Sequence, residues 1–482
     1  MSGRHDHLDA FYIPENIDLD SFTERVFSSE DRTLTLRLPK LSAGDITDIA
    51  RIVKHHREWL LTNVDVMEIV DVVDQAVQKW LDPEYHWRRL AERWLPEITG
   101  YDKEIIRLEL KRFMRTFRKK ALARFLHNEF DNPSVLDGFR PSKSGGFTKA
   151  YGPDVVFNVF SGNIPGLPIW SLVMGLLLKS GIIGKTSSAE PLMPVLFARS
   201  IEEVSPELGS CLAILPWKGG TAELEDAAIA EAEAIVAYGS NESLEAIKKR
   251  VPATQRFIGY GHKISFAMIG QEALTPDRFD DTVQRLAEDV SIYDQQGCLS
   301  PHAVFVEAGG SVAPQAFAQM LATALQRYDD KRPRGTISHA EAIAIRSERS
   351  RFEFTESDVY TSSDNTHWTV IVHHEPGFAA SPLNRTIHVF GCQHLSEAMS
   401  YIQPFKSYLQ SVGVAVAPQR LFPLAEQLGQ VGVTRVTAVG NMSRTTPGWH
   451  HDGGMNLLDL VRWVDIEYSA EHQAEDYDLD AE

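Results

Sequence analysis

Residues 154–184 read DVVFNVFSGNIPGLPIWSLVMGLLLKSGIIG. Val155, Val156, Phe157 and Val159 make a short apolar run, which predicts a strand over 154–160. Ser161-Gly162-Asn163 is a polar turn, and Pro165 keeps Asn163 out of helical conformation. A helix over 167–179 and a second strand over 182–184 complete a strand–helix–strand unit. That pattern belongs to a parallel sheet with helices on its faces.

The alternation continues outward. Strands are expected at 211–215, 234–238 and 256–258, between helices at 191–204, 223–231 and 242–250. A second stretch of the same kind begins near Ile264 and runs to about Gly440, with strands at 303–307, 368–373 and 386–390. Two tandem α/β units follow from this. Before them, residues 41–130 are helical in pattern. Val66, Ile69, Val70, Val73, Val77 and Trp80 recur at three-and-four spacing, and Asp65 followed by Glu68 has the form of a capping box. One further helix is expected over 103–130, stopped by Asp131-Asn132-Pro133. The first twenty or so residues and the last fifteen are expected to hold little structure, because the tail from Glu467 is acidic and poor in apolar residues. The domain reading is an N-terminal extension (1–40), a helical region with the first α/β unit (41–263), the second α/β unit (264–440) and a C-terminal segment (441–482).

Composition narrows the function classes. The chain has 482 residues, 43% apolar and 24% charged, with a formal net charge of −18. Without a clustered basic surface, nucleic acid is a poor partner, since phosphate neutralisation needs grouped Lys and Arg. The basic stretch 111–124 (KRFMRTFRKKALAR) reads as a solvated helix face before it reads as an anion site. Three cysteines, Cys211, Cys298 and Cys392, suit neither a disulfide framework nor a zinc site and fit a reducing cytoplasm. The N-terminus lacks the pattern of a secretory signal, and the most apolar run, 167–178, is too short to span a bilayer.

Two nucleotide signatures fail. Gly184-Lys185-Thr186 imitates the end of a P-loop, but the glycine required five residues earlier is Lys179. Gly259-Tyr260-Gly261 begins a dinucleotide fingerprint whose third glycine is Ile264. The pairs His373-His374 and His450-His451 are weak metal ligands, because neighbours on a strand face opposite ways, and no metal is expected.

Gln295-Gln296-Gly297-Cys298-Leu299-Ser300-Pro301 places a thiol in a glycine turn just before a strand. A thiol there can be presented to a cleft, and a cationic neighbour or helix N-terminus would favour its reactive thiolate. The competing reading is a buried, inert cysteine. Asn163, in the turn beyond the strand 154–160, can aim an amide donor at a developing oxyanion; the competing reading is a helix cap.

These two segments, together with Leu178-Lys179-Ser180, Ile183-Gly184-Lys185-Thr186, Trp449-His450-His451-Asp452-Gly453 and Asp459-Leu460-Val461-Arg462-Trp463-Val464-Asp465, resemble the bacterial luminescence fatty-acid reductase (LuxC) family of acyl-CoA reductases, within the aldehyde dehydrogenase superfamily. The resemblance spans about residues 41–467. It implies an aldehyde dehydrogenase-like fold: a Rossmann-variant cofactor domain without the glycine fingerprint, a catalytic domain, and a small β arm for oligomerisation. Residues 133–151 and the segment after Gly453 are the candidates for that arm.

The activity implied is NADPH-dependent reduction of an acyl thioester, acyl-CoA or acyl-protein, to the aldehyde. Cys298 would carry the acyl group, with Asn163 and the Cys298 backbone N–H holding the oxyanion. Lys185 would contact the adenosine ribose or phosphate. Ser188 stands where NAD-preferring members of the superfamily carry Glu, so a 2′-phosphate is not repelled; Glu190 nearby works against this. Gly239 and Ser240 would bind pyrophosphate at a helix N-terminus, and Glu375 would bind the nicotinamide ribose.

The glutamate base of the hydrolytic enzymes is matched by Gly259, which favours thiol exchange or reduction over hydrolysis, with His262 as a substitute base. The alternatives are an aldehyde-oxidising dehydrogenase, and a non-reducing acyl carrier or scaffold for an acyl-protein synthetase. The family resemblance also implies a homo-oligomer and such a synthetase as partner.

Overall fold

Leu34 and Leu36 are fully buried on one face of a strand, and around them the N-terminal residues fold into a sheet. Strands β1 (Arg4–Asp9), β2 (Phe22–Ser28) and β3 (Arg32–Pro39) have β3 in the middle, parallel to β1 and antiparallel to β2. The expectation of an unstructured start is therefore corrected. Composition concealed the sheet because β2 faces solvent along most of its length, leaving β3 with most of the apolar signal. The computed structural model describes residues 4–14, 17–29, 31–355 and 357–477. It divides into two units, one of Met1–Ile98, Glu109–Gly261 and Gly454–Glu482, the other of Thr99–Leu108 and His262–Gly453.

In the first unit, β4 (Arg140–Pro141) and β5 (Phe147–Tyr151) precede a five-stranded parallel sheet. Its strands are β6 (Val155–Val159), β7 (Gly181–Thr186), β8 (Leu212–Pro216), β9 (Ala234–Tyr238) and β10 (Arg256–Tyr260), in the order β10-β9-β6-β7-β8. The chain runs from β6 outward to β8, then returns to place β9 on the other side of β6. That reversal opens a crevice at the carboxyl ends of β6 and β9, where open α/β sheets bind ligands. The edge strand β8 is covered by Tyr12, whose N–H donates to Ile214 O (2.8 Å) and whose carbonyl accepts from Ile214 N (2.6 Å).

The helix Val66–Leu81 buries Ile69, Val70, Val73, Val77 and Trp80, as the spacing predicts, and Trp80 Nε1 donates to Ser200 Oγ at 2.9 Å. Asp65 N donates to Glu68 Oε2 (2.8 Å), the backbone half of the capping box. The single helix expected over 103–130 is instead two, Lys103–Met114 and Lys119–Phe130. Arg118 is extended (φ −69°, ψ 146°), and Asp74 holds the break by accepting from Arg118 Nε (2.5 Å) and Lys119 N (2.8 Å). The basic stretch pairs with local carboxylates, Arg112 with Glu109 and Lys119 with Asp71, each at 2.5 Å.

The second unit holds β11 (Ile264–Ile269), β12 (Pro301–Glu307), β13 (Ser357–Thr361), β14 (Thr369–His373), β15 (Thr386–Cys392), β16 (Leu409–Ala415) and β17 (Arg435–Ala438). They form one sheet in the order β13-β14-β15-β12-β11-β16-β17, parallel except for the antiparallel edge strand β13. Both faces are packed: Val304, Val306, Phe317 and Leu321 on one side, Phe266, Phe305, Phe390 and Val412 on the other.

Back in the first unit, β18 (Arg462–Ile466) pairs antiparallel with β5, Trp463 opposite Ala150, in a small sheet ordered β18-β5-β4. The tail, expected to hold little structure, instead continues as an exposed helix, Tyr468–Glu475, and residues 478–482 lie outside the described residues. No helix among the described residues is long and apolar enough to cross a membrane.

Candidate active site

The carboxyl ends of β6 to β9 gather the residues expected to hold a dinucleotide. Lys185, near the end of β7, is buried, and its Nζ forms no hydrogen bond or ion pair among the described residues. Burial lowers its pKa, opposed by the charge of Glu225. A Cβ on Gly219 would stand 3.6 Å from its Nζ, so the glycine turn after β8 runs beside that ammonium. Ser161 Oγ, Thr186 Oγ1 and Trp217 Nε1 are buried at the same strand ends without a partner among the described residues. Ser240 caps the helix Asn241–Lys248, accepting from Ser243 N at 3.3 Å, and Gly239 precedes it. Buried unpaired donors, a desolvated cation and a helix N-terminus are the donor set a dinucleotide requires, so the residues fit such a cofactor. Glu190 does not oppose it. Its Oε1 accepts from Leu192 N (2.7 Å) and Met193 N (2.8 Å) at a helix start, and burial pushes its pKa up to about 7.

Asn163 is exposed in the turn between β6 and the helix Leu167–Leu177. The cap position of that helix is Gly166 at φ +95°, so Asn163 is not the cap. Gly162 lets its turn approach the one after β7, since a Cβ there would meet Ser187 Oγ at 2.4 Å. The two glycines thus have separate reasons, close approach and left-handed backbone.

In the second unit, Cys298 follows three consecutive left-handed residues, Tyr293, Asp294 and Gln295 (φ 48°, 51° and 67°). Such a conformation costs a non-glycine residue roughly 1–2 kcal/mol, and buried contacts hold it. Gln295 Nε2 donates to Pro301 O and Thr386 O, both at 2.7 Å, and its Oε1 accepts from Thr386 N at 2.9 Å. Asp294 pairs with the fully buried Arg385 at 2.7 Å and accepts from Gly335 N at 2.9 Å. Beyond the triplet, Ser265 Oγ donates to Cys298 O at 2.7 Å, tying the turn to β11.

Adjacent strands β12, β11 and β16 begin side by side, which brings Cys298, Lys263 and Gln410 to one sheet edge. Gln410 Nε2 donates to Asp452 Oδ1 (2.5 Å), and Lys263 Nζ lies 3.5 Å from Asp452 Oδ2. Cys298 is partly exposed, whereas Cys211 and Cys392 are buried. Desolvation and then the negative charge of Asp452 push the Cys298 thiol up to about 11, against a Gln410 hydrogen bond to sulfur and the charge of Lys263. The resting thiol is therefore protonated at neutral pH. Lys263 supplies a cationic neighbour, but a carboxylate outweighs it.

The model of the acyl-CoA reductase (LuxC) family matches residues 61–463. The chain belongs to the LuxC family of acyl-CoA reductases. It is 26% identical over 425 residues to the long-chain acyl-protein thioester reductase of Aliivibrio fischeri, covering 87% of this chain and 86% of that one. It is 25% identical over 462 residues to long-chain acyl-protein thioester reductase 2 of Photobacterium leiognathi, covering 94% and 92%. Solved structures share the aldehyde dehydrogenase fold. Aldehyde dehydrogenase 21 from Physcomitrella patens, in complex with succinate, aligns at TM-score 0.73 and 14% identity over 97% of this chain and 98% of that one. The NADP-dependent glyceraldehyde-3-phosphate dehydrogenase of Bacillus halodurans C-125 aligns at 0.70 and 13% over 94% and 98%. This member of the family is thus an oxidoreductase acting on acyl thioesters, built on a two-domain aldehyde dehydrogenase-like α/β fold.

Not every residue expected at the site of this LuxC protein is gathered there. Lys185, Ser188, Gly239, Ser240 and Asn163 share the carboxyl edge of one sheet, in the first unit. Cys298 belongs to the second unit. Glu375 is exposed just beyond β14, whose His373 pairs with Phe390 at the level of Phe305. The start and end of β12 are separated by roughly 20 Å at about 3.3 Å per residue, so Glu375 lies at the opposite end of the strands from Cys298. Ser381, further along the same loop, returns to the start of β12, donating from its N–H to His302 Nδ1 at 3.1 Å. Gln410, Lys263 and Asp452 went unread in the sequence. The Trp-His-His-Asp-Gly motif around Asp452 carried a family signal, but nothing local tied it to Cys298.

Proposed function

We propose that this reductase converts an acyl thioester to the aldehyde through a thioester on Cys298, with NADPH as reductant. The carrying observation is the contrast among its cysteines. Cys211 and Cys392 are buried and pushed up to about 12, whereas Cys298 is partly exposed in a constrained turn with an amide donor on its sulfur. In the first step the Cys298 sulfur bonds to the acyl carbonyl carbon, its proton passes to the departing thiol, and CoA or a carrier thiol leaves. Asn163 and the Cys298 N–H stabilise the oxyanion; one such donor is worth roughly 2.7–4 kcal/mol of barrier.

NADPH, when bound, supplies hydride to the acyl carbon. With one proton this gives a thiohemiacetal on Cys298, whose C–S bond then breaks to release aldehyde and restore the thiol. Lys185 and Ser188 would receive the adenosine ribose and its 2′-phosphate, and Gly239 and Ser240 the pyrophosphate. Glu375 is left out of this assignment by its position. The names of the relatives support an acyl-protein donor and hence a synthetase partner, and the three free cysteines support a reducing compartment.

The test is incubation with acyl-CoAs of graded chain length, without and then with NADPH. A mass increase of one acyl group on the wild-type protein, absent from Cys298→Ala, is expected, followed by aldehyde equal in amount to the NADPH consumed. Acyl transfer that persists in Cys298→Ala rules the assignment out, and acylation without NADPH consumption supports the carrier reading.

A further inference from the structure

The N-terminal sheet lies against the cofactor sheet of the same unit, and its contribution there is a cation. Arg25, exposed on β2, donates from Nη1 to the carbonyl oxygen of Ser188 at 2.7 Å. Its guanidinium also lies 5.1 Å from the ring centroid of Phe27, two residues along the same strand face. Arg25 forms no ion pair among the described residues. The strand is held in register with β3, Arg25 opposite Leu36, and the N-terminal segment is tied to β8 through the reciprocal Tyr12–Ile214 hydrogen bonds. Ser188 is itself exposed, three residues beyond the buried Lys185.

We propose that Arg25 recognises the 2′-phosphate of the cofactor's adenosine, making β2 the element that sets NADPH over NADH. This rests on the cofactor reading above. Ser188 removes a repulsion but adds no attraction; a guanidinium fixed at one N–H by the Ser188 carbonyl keeps further donors in a planar fork that matches a phosphate dianion. Arg25 lies outside residues 61–463, so the family match carries no information about it.

Calorimetric titration of the full chain with 2′,5′-ADP and with 5′-AMP tests the assignment. The wild-type protein is expected to bind 2′,5′-ADP at least about tenfold more tightly. Arg25→Gln should lose about 10- to 100-fold for 2′,5′-ADP, the range of a charge-assisted hydrogen bond, and stay within about twofold for 5′-AMP. Arg25→Lys should fall between them, since it keeps the charge without the fork. A wild-type preference that survives Arg25→Gln overturns the role of Arg25 alone. A wild-type protein that binds both nucleotides equally, or neither, overturns the NADPH reading and Arg25 with it.

Discussion

At Cys298 opposing groups act on one sulfur. Burial and Asp452 disfavour the thiolate, and Gln410 and Lys263 favour it, with a net upward displacement to about 11. Alkylation of the isolated protein by iodoacetamide should therefore rise about tenfold per pH unit through pH 9 and show no plateau below about pH 10. The two groups that meet at Asp452 Oδ1 make opposite predictions. Gln410→Leu removes an N–H donor from the sulfur and should slow alkylation at pH 9 by about 3- to 10-fold. Asp452→Asn removes the negative charge and should speed it by a similar factor. Equal movement in one direction would show that neither acts on the sulfur electrostatically. Gln410 Oε1 is buried without a partner among the described residues, because Asp452 fixes the amide through its nitrogen.

Among the elements, the turn 293–297 is the one whose conformation the rest of its unit must impose. Three left-handed residues do not arise from local preference, and the side chains that hold them reach into the sheet. Arg385, fully buried, bonds Asp294 and also Asp329 at 2.9 Å. Arg385→Leu leaves two buried carboxylates without their cation and should destabilise the unit by about 3–5 kcal/mol, read as a lowered urea midpoint. Gln295→Ala removes three buried hydrogen bonds and should lower thioester formation on Cys298 more than it lowers that midpoint. A loss in midpoint alone would assign Gln295 to folding and not to presentation of the thiol.

For the whole molecule, the β18-β5-β4 sheet leaves Trp463 41% exposed on an edge strand. An aromatic side chain on such an edge is suited to a second copy of the chain, where strand pairing would satisfy edge backbone groups. Sedimentation should give a dimer or larger species. Val464→Pro, which removes a backbone donor in β18, should shift it toward monomer without changing 2′,5′-ADP affinity. A wild-type monomer at micromolar concentration counts against an oligomerisation arm.

Local features were legible in the residues alone: the alternation of strands and helices around residues 154–184, the buried stripe of the helix Val66–Leu81, and the two glycine motifs carrying Asn163 and Cys298. Each is written in periodicity or turn chemistry within a dozen residues. The chemistry of the thiol was not. Lys263, Gln410 and Asp452 meet only because β11, β12 and β16 are neighbours in the second unit's sheet. Arg118 departs from its helix because Asp74, forty-four residues earlier, binds it. The position of Glu375 likewise depended on which end of β14 its loop leaves. Such contacts are set by strand order and burial, and a carboxylate's effect on a thiol depends on distance and dielectric, both of which arise when distant segments pack together.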